Sequence, residues 1–180
     1  FKVMDIEAED SLGWVLPTTG ENEIVLTTTN AQSIRFKESD VRPTGLGAGG
    51  MRGIKLAGQR DRVIGANIAQ DGLHLWTITD DGVAKSSPLS DYPTQGRAGS
   101  GVVTMKLPND SRGLAAAAVG KLDESVVVLT SKHRPKSMRL SLAPNGRRDK
   151  RGDIVISLGN KEQIIGVVMP QRTFKVPELA

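Results

Sequence analysis

The chain has 180 residues, a length typical of one domain or of one small array of repeats. It holds 20 glycines, no cysteine, two histidines and 3% aromatic residues, and its formal net charge is +4. This composition excludes disulfide frameworks and thiolate metal sites, and it argues against a base-stacking surface. No apolar run reaches the roughly 18 residues of a membrane helix, and the N-terminus has neither an initial methionine nor a signal-peptide pattern. We therefore expect an excised segment of a soluble, cytoplasmic protein with no membrane partner.

The predicted elements are short strands separated by turns. Ile24 to Thr28 is rich in β-branched residues, and a more polar strand follows over Gln32 to Phe36. After a loop rich in proline and glycine, Gly53 to Leu56 is predicted to form a closing strand. The same order recurs twice, with predicted strands at Leu73 to Thr79, Val83 to Ser87, Val102 to Leu107, Ser125 to Thr130, Lys136 to Leu140 and Asp153 to Leu158.

A repeat of 51 residues underlies this order. Three phases of the repeat carry identical or similar residues: Gly50, Gly101 and Gly152; Thr28, Thr79 and Thr130; and Leu12, Val63, Leu114 and Ile165. Residues 113–120 (GLAAAAVG) favour a helix by composition, but their register with Val63 and Ile165 predicts a small-residue strand beside a crowded axis. About four strands in roughly 50 residues is typical of a propeller blade, so we predict an all-β, propeller-like array of four-stranded blades.

The repeat predicts a single domain or arc of copies. Three copies span about 9–58, 59–109 and 110–160, with part-copies at 1–8 and 161–180. Val3 to Ile6 matches the closing strand of a preceding copy, and residues 163–170 match the opening strand of a fourth. Because a closed propeller usually has four or more blades, either the two part-copies complete a fourth blade or the chain forms an arc of a larger ring.

The positive charge is concentrated in the second part of the chain. Residues 1–100 contain 10 Lys/Arg against 13 Asp/Glu, whereas residues 101–180 contain 14 against 7. Between Ser131 and Arg151, eight basic residues accompany a single acid, Asp149. A surface this basic predicts a polyanionic partner.

Two long matches in register carry a resemblance to a known family. The stretch QSIRFKESDVRPTGLGAGGMRGIKL (32–56) fits the signature I-R-F-x-E-x-D-V-R-P-x-G, followed by a glycine-rich loop and G-I-x-L. The second and third copies keep a subset of these positions: Thr79, Gly82, Lys85, Tyr92-Pro93-Thr94, Arg97 and Gly101, then Thr130, Lys136, Arg139 and Gly152. Over nearly all of residues 9–160 the chain resembles the C-terminal DNA-wrapping domain of bacterial DNA gyrase A subunits, and its relative in topoisomerase IV.

The resemblance implies a β-pinwheel, a propeller-like ring in which blades exchange strands and duplex DNA bends around a basic outer rim. It implies a non-catalytic module of an ATP-dependent type IIA DNA topoisomerase, in the cytoplasm and nucleoid of a bacterium. The implied partners are duplex DNA, the B subunit, which completes the enzyme, and the remainder of the A subunit. ATP and magnesium would serve the parent enzyme, and no cofactor is expected in this segment.

One motif of that family is degraded here. The box Q-[RK]-R-G-G-[RK]-G, which the family requires for wrapping, has its nearest match at Gln95-Gly96-Arg97-Ala98-Gly99-Ser100-Gly101, where both flexible basic positions are lost. The loop LGAGGM (46–51) also lacks the arginines that the family often places there. We interpret residues 95–101 as an ordinary inter-blade loop, and the whole chain as a segment from the later blades of the family's ring.

The predicted site is a line of cations that neutralise phosphates, without catalytic residues or a metal. Such contacts release counterions, so binding would depend steeply on salt and little on sequence. The residues predicted to bind DNA are Arg35, Lys37, Lys85, Arg97, Lys132, Arg134, Lys136, Arg139, Arg147, Arg148, Lys150 and Arg151.

Three aromatic residues are assigned to packing. Tyr92 is the only tyrosine, but it aligns with Val41 in the first copy and so occupies an apolar repeat position, not that of a nucleophile. Trp14 and Trp76 are predicted to pack between blades.

The sequence leaves two alternative functions open. The same pinwheel in topoisomerase IV would select DNA crossings without strong wrapping. A propeller that docks a protein partner is favoured by the acidic, arginine-poor first 100 residues.

Overall fold

The computed structural model describes residues 4–169. Eleven short strands account for the regular structure of this part, and three 3₁₀ turns follow strands at Glu38–Asp40, Leu89–Asp91 and Leu140–Leu142. The strands are β1 (Glu23–Thr28), β2 (Gln32–Lys37), β3 (Val63–Ala69), β4 (His74–Thr79), β5 (Val83–Pro88), β6 (Val102–Val103), β7 (Leu114–Gly120), β8 (Ser125–Thr130), β9 (Lys136–Arg139), β10 (Asp153–Ile154) and β11 (Ile164–Val168).

The strands form three antiparallel sheets that exchange strands. Sheet A has the order β3-β1-β2-β6, sheet B has the order β10-β5-β4-β7, and sheet C has the order β11-β8-β9. In sheets A and B a central hairpin from one copy lies between two strands supplied by the next copy. This arrangement confirms the predicted all-β pinwheel of four-stranded blades.

The register of the three central hairpins is the same. Glu23 lies opposite Lys37 in sheet A, His74 opposite Pro88 in sheet B and Ser125 opposite Arg139 in sheet C. Each of these pairs is displaced from the previous one by 51 residues, so the sequence repeat is also a repeat of strand pairing.

The innermost strands β3, β7 and β11 meet at the axis, where β7 contacts both neighbours. A Cβ added to Gly65 of β3 would lie 2.9 Å from the Cβ of Ala117 in β7. This close approach explains the run of alanines in β7 and confirms the small-residue strand predicted there.

Two layers of apolar side chains hold the sheets together. Val25, Leu75 and Leu114 belong to a cluster between sheets A and B, whereas Trp76 and Val126 belong to a cluster between sheets B and C. Sheet B is therefore covered on both faces, which is why five consecutive residues of β4 are buried.

The closing strands are shorter than predicted. Only Val102–Val103 and Asp153–Ile154 pair with a sheet, and residues 53–56 form no strand. Residues 53–56 and the segment after β6 instead bond to the loop of the next copy: the Lys55 amide donates to the Gly99 carbonyl at 2.8 Å, and the Lys106 amide donates to the Lys150 carbonyl at 3.1 Å. The prediction of continuous closing strands was wrong because part of this backbone bonds to a loop of the next copy and not to the edge of a sheet.

The first part of the chain also differs from the prediction. Residues 4–6 form no strand, Val3 lies outside the described residues, and Leu12 is 57% exposed in a segment without strand structure. Sheet A takes its inner strand β3 from the next copy, so the opening segment of the first copy has no hairpin to pair with in the described range. Trp14 is 44% exposed beside the inner strands instead of packed between blades.

The C-terminal prediction is confirmed for one strand. Residues 163–170 were expected to open a further copy, and β11 (Ile164–Val168) pairs there with β8. Residues 170–180 lie outside the described part, and the division of the chain into three copies and two part-copies stays a prediction.

The glycines that share one phase of the repeat allow a matched test. Gly101 has a φ of +71°, and an added Cβ would lie 2.3 Å from the Ser33 carbonyl oxygen of β2. Gly50 has a φ of +69° but no atom within 4 Å. We expect Gly101→Ala to lower the free energy of unfolding by about 2–4 kcal/mol, from left-handed strain and a backbone clash, and Gly50→Ala by only about 1 kcal/mol. Urea unfolding at 25 °C measures both, and equal losses would contradict the close approach.

Candidate nucleic-acid interface

The twelve cations predicted to contact DNA fall into two groups in the structure. Seven are exposed: Lys37, Lys132, Arg134, Arg139, Arg147, Lys150 and Arg151. The other five are buried or half-buried and donate hydrogen bonds to other parts of the chain: Arg35, Lys85, Arg97, Lys136 and Arg148.

Residues 145–152, hereafter the basic loop, begin and end against β5. The Gly146 amide donates to the Ser86 carbonyl at 3.0 Å, which fixes the start of the loop. At its end, a Cβ on Gly152 would lie 2.3 Å from the Ala84 carbonyl oxygen, so the backbones of loop and strand are in direct contact. Both ends of the basic loop are therefore held on sheet B.

Between these ends, the basic loop carries three of the exposed cations. Arg147, Lys150 and Arg151 are all exposed, and the side chain of Arg147 is 76% accessible. Its guanidinium Nε lies 3.6 Å from the Asp149 carboxylate, a surface contact that contributes little stability. These cations are free to exchange solvent counterions for phosphates.

A second group of exposed cations surrounds the turn of the β8–β9 hairpin. Lys132 and Arg134 lie in this turn, where His133 has a φ of +55°, and Arg139 ends β9. Lys136 is half-buried and donates to the Ser157 carbonyl at 3.1 Å. The turn, the end of β9 and the basic loop thus expose six cations within one copy.

A carboxylate lies close to this turn. Glu162 accepts hydrogen bonds from the Gly159 amide at 2.9 Å and from the Thr130 hydroxyl at 2.7 Å. These bonds, together with the charges of Lys132 and Lys136, hold the pKa of Glu162 below its ordinary value. The acid stays ionised and ties the hairpin turn to the strand that follows.

Arg35 is an internal residue rather than an exposed one. Its guanidinium pairs with Glu23, contacts Asp71 at 3.2 Å and donates to the Leu89 carbonyl at 3.2 Å. Burial alone would raise the pKa of Glu23, but hydrogen bonds from Thr94 and Arg35 and the arginine charge lower it. The structure therefore places the signature arginine in a link between β1, β2 and the second copy.

Arg97 and Arg148 occupy equivalent positions and make equivalent bonds. Arg97 donates to the Arg52 carbonyl at 3.0 Å, and Arg148 donates to the Val103 carbonyl at 2.9 Å. Each donor and each acceptor is displaced by 51 residues from its counterpart. Both arginines fasten the loop of one copy to the closing segment of the copy before it.

Lys85 is the most buried cation of the set, with 2% of its surface exposed. Its ammonium donates to the Ser87 hydroxyl at 2.7 Å, to the Arg148 carbonyl at 2.8 Å and to the Thr104 carbonyl at 3.1 Å. Burial lowers the pKa of Lys85 to about 8, an effect that the nearby carboxylates Asp149 and Asp91 partly oppose.

Two aspartates that hold these loops, Asp40 and Asp91, were not among the predicted site residues. Asp91 accepts the Arg148 amide at 3.2 Å through its side chain, and the equivalent Asp40 accepts the Arg97 guanidinium at 2.9 Å through its carbonyl. Both aspartates lie in the Ser-Asp dipeptides that repeat at 39–40 and 90–91. That repeated dipeptide was the available signal.

The aromatic predictions are confirmed for two residues. Tyr92 is 2% exposed in the cluster between sheets A and B, and burial raises the pKa of its hydroxyl to about 12. Trp76 is fully buried between sheets B and C.

Within residues 4–169, no group of three or more His, Cys, Asp or Glu side chains is arranged to hold a metal ion. No helix in the same range is long and apolar enough to cross a membrane.

Sheets that exchange strands between successive copies define a β-pinwheel type of fold, and comparison with known proteins agrees. The family model described as "DNA gyrase C-terminal domain, beta-propeller" matches residues 22–70, 74–119 and 124–170. The chain therefore belongs to the family of DNA gyrase C-terminal β-propeller domains.

Two curated relatives illustrate the sequence similarity. The DNA gyrase A subunit of Dehalogenimonas lykanthroporepellens is 33% identical over 178 residues, which cover 98% of this chain and 21% of the relative. The DNA gyrase A subunit of Escherichia coli K12 is 30% identical over 163 residues, which cover 90% of this chain and 18% of the relative. The chain thus spans about a fifth of the length of these relatives.

Solved structures show the same fold at lower identity. The C-terminal domain of a DNA topoisomerase IV superposes with a TM-score of 0.84 at 22% identity, covering 92% of this chain and 52% of that structure. A DNA gyrase A C-terminal domain superposes with a TM-score of 0.76 at 17% identity, covering 83% of this chain and 51% of that structure.

The bonds of Arg97 predict a role in stability. Arg97→Ala leaves the Asp40 and Arg52 carbonyls without their donor, and we expect a loss of about 1–2 kcal/mol in the free energy of unfolding. Arg147→Ala removes the same charge from an exposed position and should change it by less than about 0.5 kcal/mol. Urea unfolding of both variants tests this, and a larger loss for Arg147→Ala would contradict the assignment.

The lowered pKa of Lys85 predicts a pH dependence of stability. Between about pH 8 and pH 10.4 the unfolded chain keeps the Lys85 proton while the folded protein releases it, so Lys85 makes the folded state more stable as pH rises. Lys85→Ile removes this effect, and the equivalent Ile34 of the first copy shows that a buried isoleucine fits the position. We expect the unfolding free energy of the wild type, measured relative to that of Lys85→Ile, to increase by about 1–3 kcal/mol from pH 7 to pH 10.

The measurement is urea unfolding across this pH range. The comparison with Lys85→Ile cancels the titration of Tyr92, which both proteins share. Lys121→Met, which removes an exposed lysine, should follow the wild type at every pH. Parallel curves for the wild type and Lys85→Ile would show that Lys85 keeps an ordinary pKa.

Proposed function

We propose that this domain binds duplex DNA through the phosphate backbone and bends it along the exposed cations of its third copy. The observation that supports this most directly is the exposure of six cations on the β8–β9 turn, the end of β9 and the basic loop. B-DNA carries one negative charge for about every 1.7 Å of its axis, so a row of fixed cations meets phosphates at any sequence.

Bending adds a requirement on the protein. Curving a duplex of 20–30 base pairs costs on the order of 1–6 kcal/mol, and phosphate contacts along a rigid surface must offset this cost. The basic loop is fixed at both ends on sheet B, so its backbone does not need to be ordered when DNA binds. Contacts from a preordered loop lose less conformational entropy than contacts from a flexible tail.

The parent enzyme in this proposal is an ATP-dependent type IIA DNA topoisomerase, a gyrase that introduces supercoils. The B subunit, together with the remainder of the A subunit, would be the partner of the domain and would bind ATP and magnesium. The domain itself would contribute DNA binding without strand cleavage. Tyr92 supports this division, because a hydroxyl that is 2% exposed and has its pKa raised to about 12 is unsuited to attack a phosphate. A bacterial cytoplasmic location follows from the same proposal.

Salt dependence tests the proposal. Binding of the 180-residue chain to a 40-base-pair duplex, followed by fluorescence anisotropy, should weaken steeply as salt rises. The triple variant Arg147→Ala, Lys150→Ala, Arg151→Ala should reduce the slope of log K against log salt by about 2–3, since each lost phosphate contact contributes about 0.9. Affinity near 0.1 M salt should fall by roughly ten-fold or more.

A charge-matched control separates the basic loop from net charge. Arg60, Arg112 and Lys121 are exposed near the ends of the inner strands, and their triple alanine variant should keep most of the wild-type slope. Equal slopes for all three proteins would contradict the proposed interface. If the affinity for DNA depends only weakly on salt, or if no binding is detected, the result would instead favour a domain that docks a protein partner.

A further inference from the structure

Lys85 connects two sheets through its three hydrogen bonds. Ser87 lies on the same strand β5, whereas Thr104 and Arg148 belong to segments that are far apart in the chain. All three protons of the ammonium are used, so the side chain is fully committed within the protein. A buried ammonium with all of its hydrogen bonds made holds its three acceptors at set positions.

The first remote acceptor belongs to the closing segment of sheet A. The Thr104 amide donates to the Ala31 carbonyl at 2.8 Å, and the Thr104 hydroxyl donates to Ser33 of β2. The Thr104 carbonyl, which faces Lys85, is therefore held in place by contacts with the first copy.

The second remote acceptor lies in the middle of the basic loop. The Arg148 carbonyl accepts the Lys85 ammonium at 2.8 Å, and the exposed cations Arg147 and Lys150 lie on either side of this residue in the chain. The Arg148 amide is also held, by Asp91 at 3.2 Å. Lys85 and Asp91 thus hold the backbone of Arg148 from the interior of the protein, while the side chains before and after it in the loop reach solvent.

The charged groups that face Lys85 are two acids and one base. Asp149 and Asp91 favour its charged form, and the Arg148 guanidinium disfavours it. Lys85 thus faces one acid and one base of the basic loop itself, Asp149 and Arg148.

Equivalent positions in the other copies differ. In the first copy this position is Ile34, and the corresponding loop 94–101 carries a single cation, the half-buried Arg97. In the third copy it is Lys136, which is only half-buried and donates to Ser157. A fully buried lysine occurs in the copy whose strand supports the highly charged loop.

We propose that Lys85 is a positioning residue for DNA binding, which fixes the backbone of the basic loop so that Arg147, Lys150 and Arg151 meet the phosphates at a set spacing. Lys85 itself does not reach the DNA, because its ammonium is buried and fully bonded. The proposal rests on the proposed function for its DNA part, whereas the anchoring of the loop is a property of the protein alone.

The first measurement tests anchoring without DNA. In Lys85→Ile, hydrogen exchange of the bonded Arg148 and Lys150 amides should accelerate at least ten-fold, while the amides of β8 keep their protection. Lys85→Met serves as a second variant in case the branched side chain disturbs β5. The control Lys121→Met removes one exposed charge and should leave exchange of the loop unchanged. Unchanged protection in both Lys85 variants would overturn the proposal.

The second measurement tests the consequence for DNA. Lys85→Ile should weaken binding to the 40-base-pair duplex by three-fold to ten-fold in the wild-type background. In the background of the triple variant Arg147→Ala, Lys150→Ala, Arg151→Ala, it should have no further effect, because the cations that it positions are gone. A loss of the same size in both backgrounds would show that Lys85 acts on DNA by another route and would overturn the proposal.

The two measurements also separate this inference from the proposed function. If the wild type and the triple variant bind DNA equally, the proposed interface is wrong and the DNA role of Lys85 is wrong with it. If in that case the loop still loses protection in Lys85→Ile, the anchoring part of the inference stands.

Discussion

The central hairpin of each copy has two open edges, and in sheets A and B strands of the next copy close both of them. In sheet A, β1 is covered by β3 and β2 by β6, which lie on either side of the second copy's own hairpin in the chain. A two-stranded hairpin alone is at best marginally stable in water, whereas a four-stranded sheet with a packed face is stable. The unit of stability is therefore a pair of neighbouring copies, and neither of these two hairpins is complete by itself.

This exchange of strands explains why glycines and arginines recur at the contacts between neighbouring copies. Gly101 and Gly152 are required where the incoming closing segment touches the backbone of the preceding sheet, at Ser33 and Ala84. The arginines at the equivalent positions 97 and 148 secure the same junction with side-chain bonds. The repeat thus preserves the contacts between copies, while the exposed residues of each loop are free to differ.

That freedom produces the unequal distribution of charge. Arg35 and Lys85 are bonded inside the protein, and their hydrogen bonds link segments that are far apart in the chain. Arg147, Lys150 and Arg151 occupy loop positions where their side chains remain exposed. The same amino-acid types therefore serve two purposes, and the difference is set by whether a buried carbonyl or carboxylate lies within reach.

The amino-acid sequence by itself determined the period of the repeat, the all-β class and the strands of the three hairpins, because these depend on local patterns that recur every 51 residues. It also located the dense cluster of cations in the third copy. It did not show that Arg35 and Lys85 are internal, or that residues 53–56 form no strand, because both depend on partners from other copies. Only the tertiary structure brings those carbonyls and carboxylates together, and their positions decide which cations are bonded and which remain at the surface.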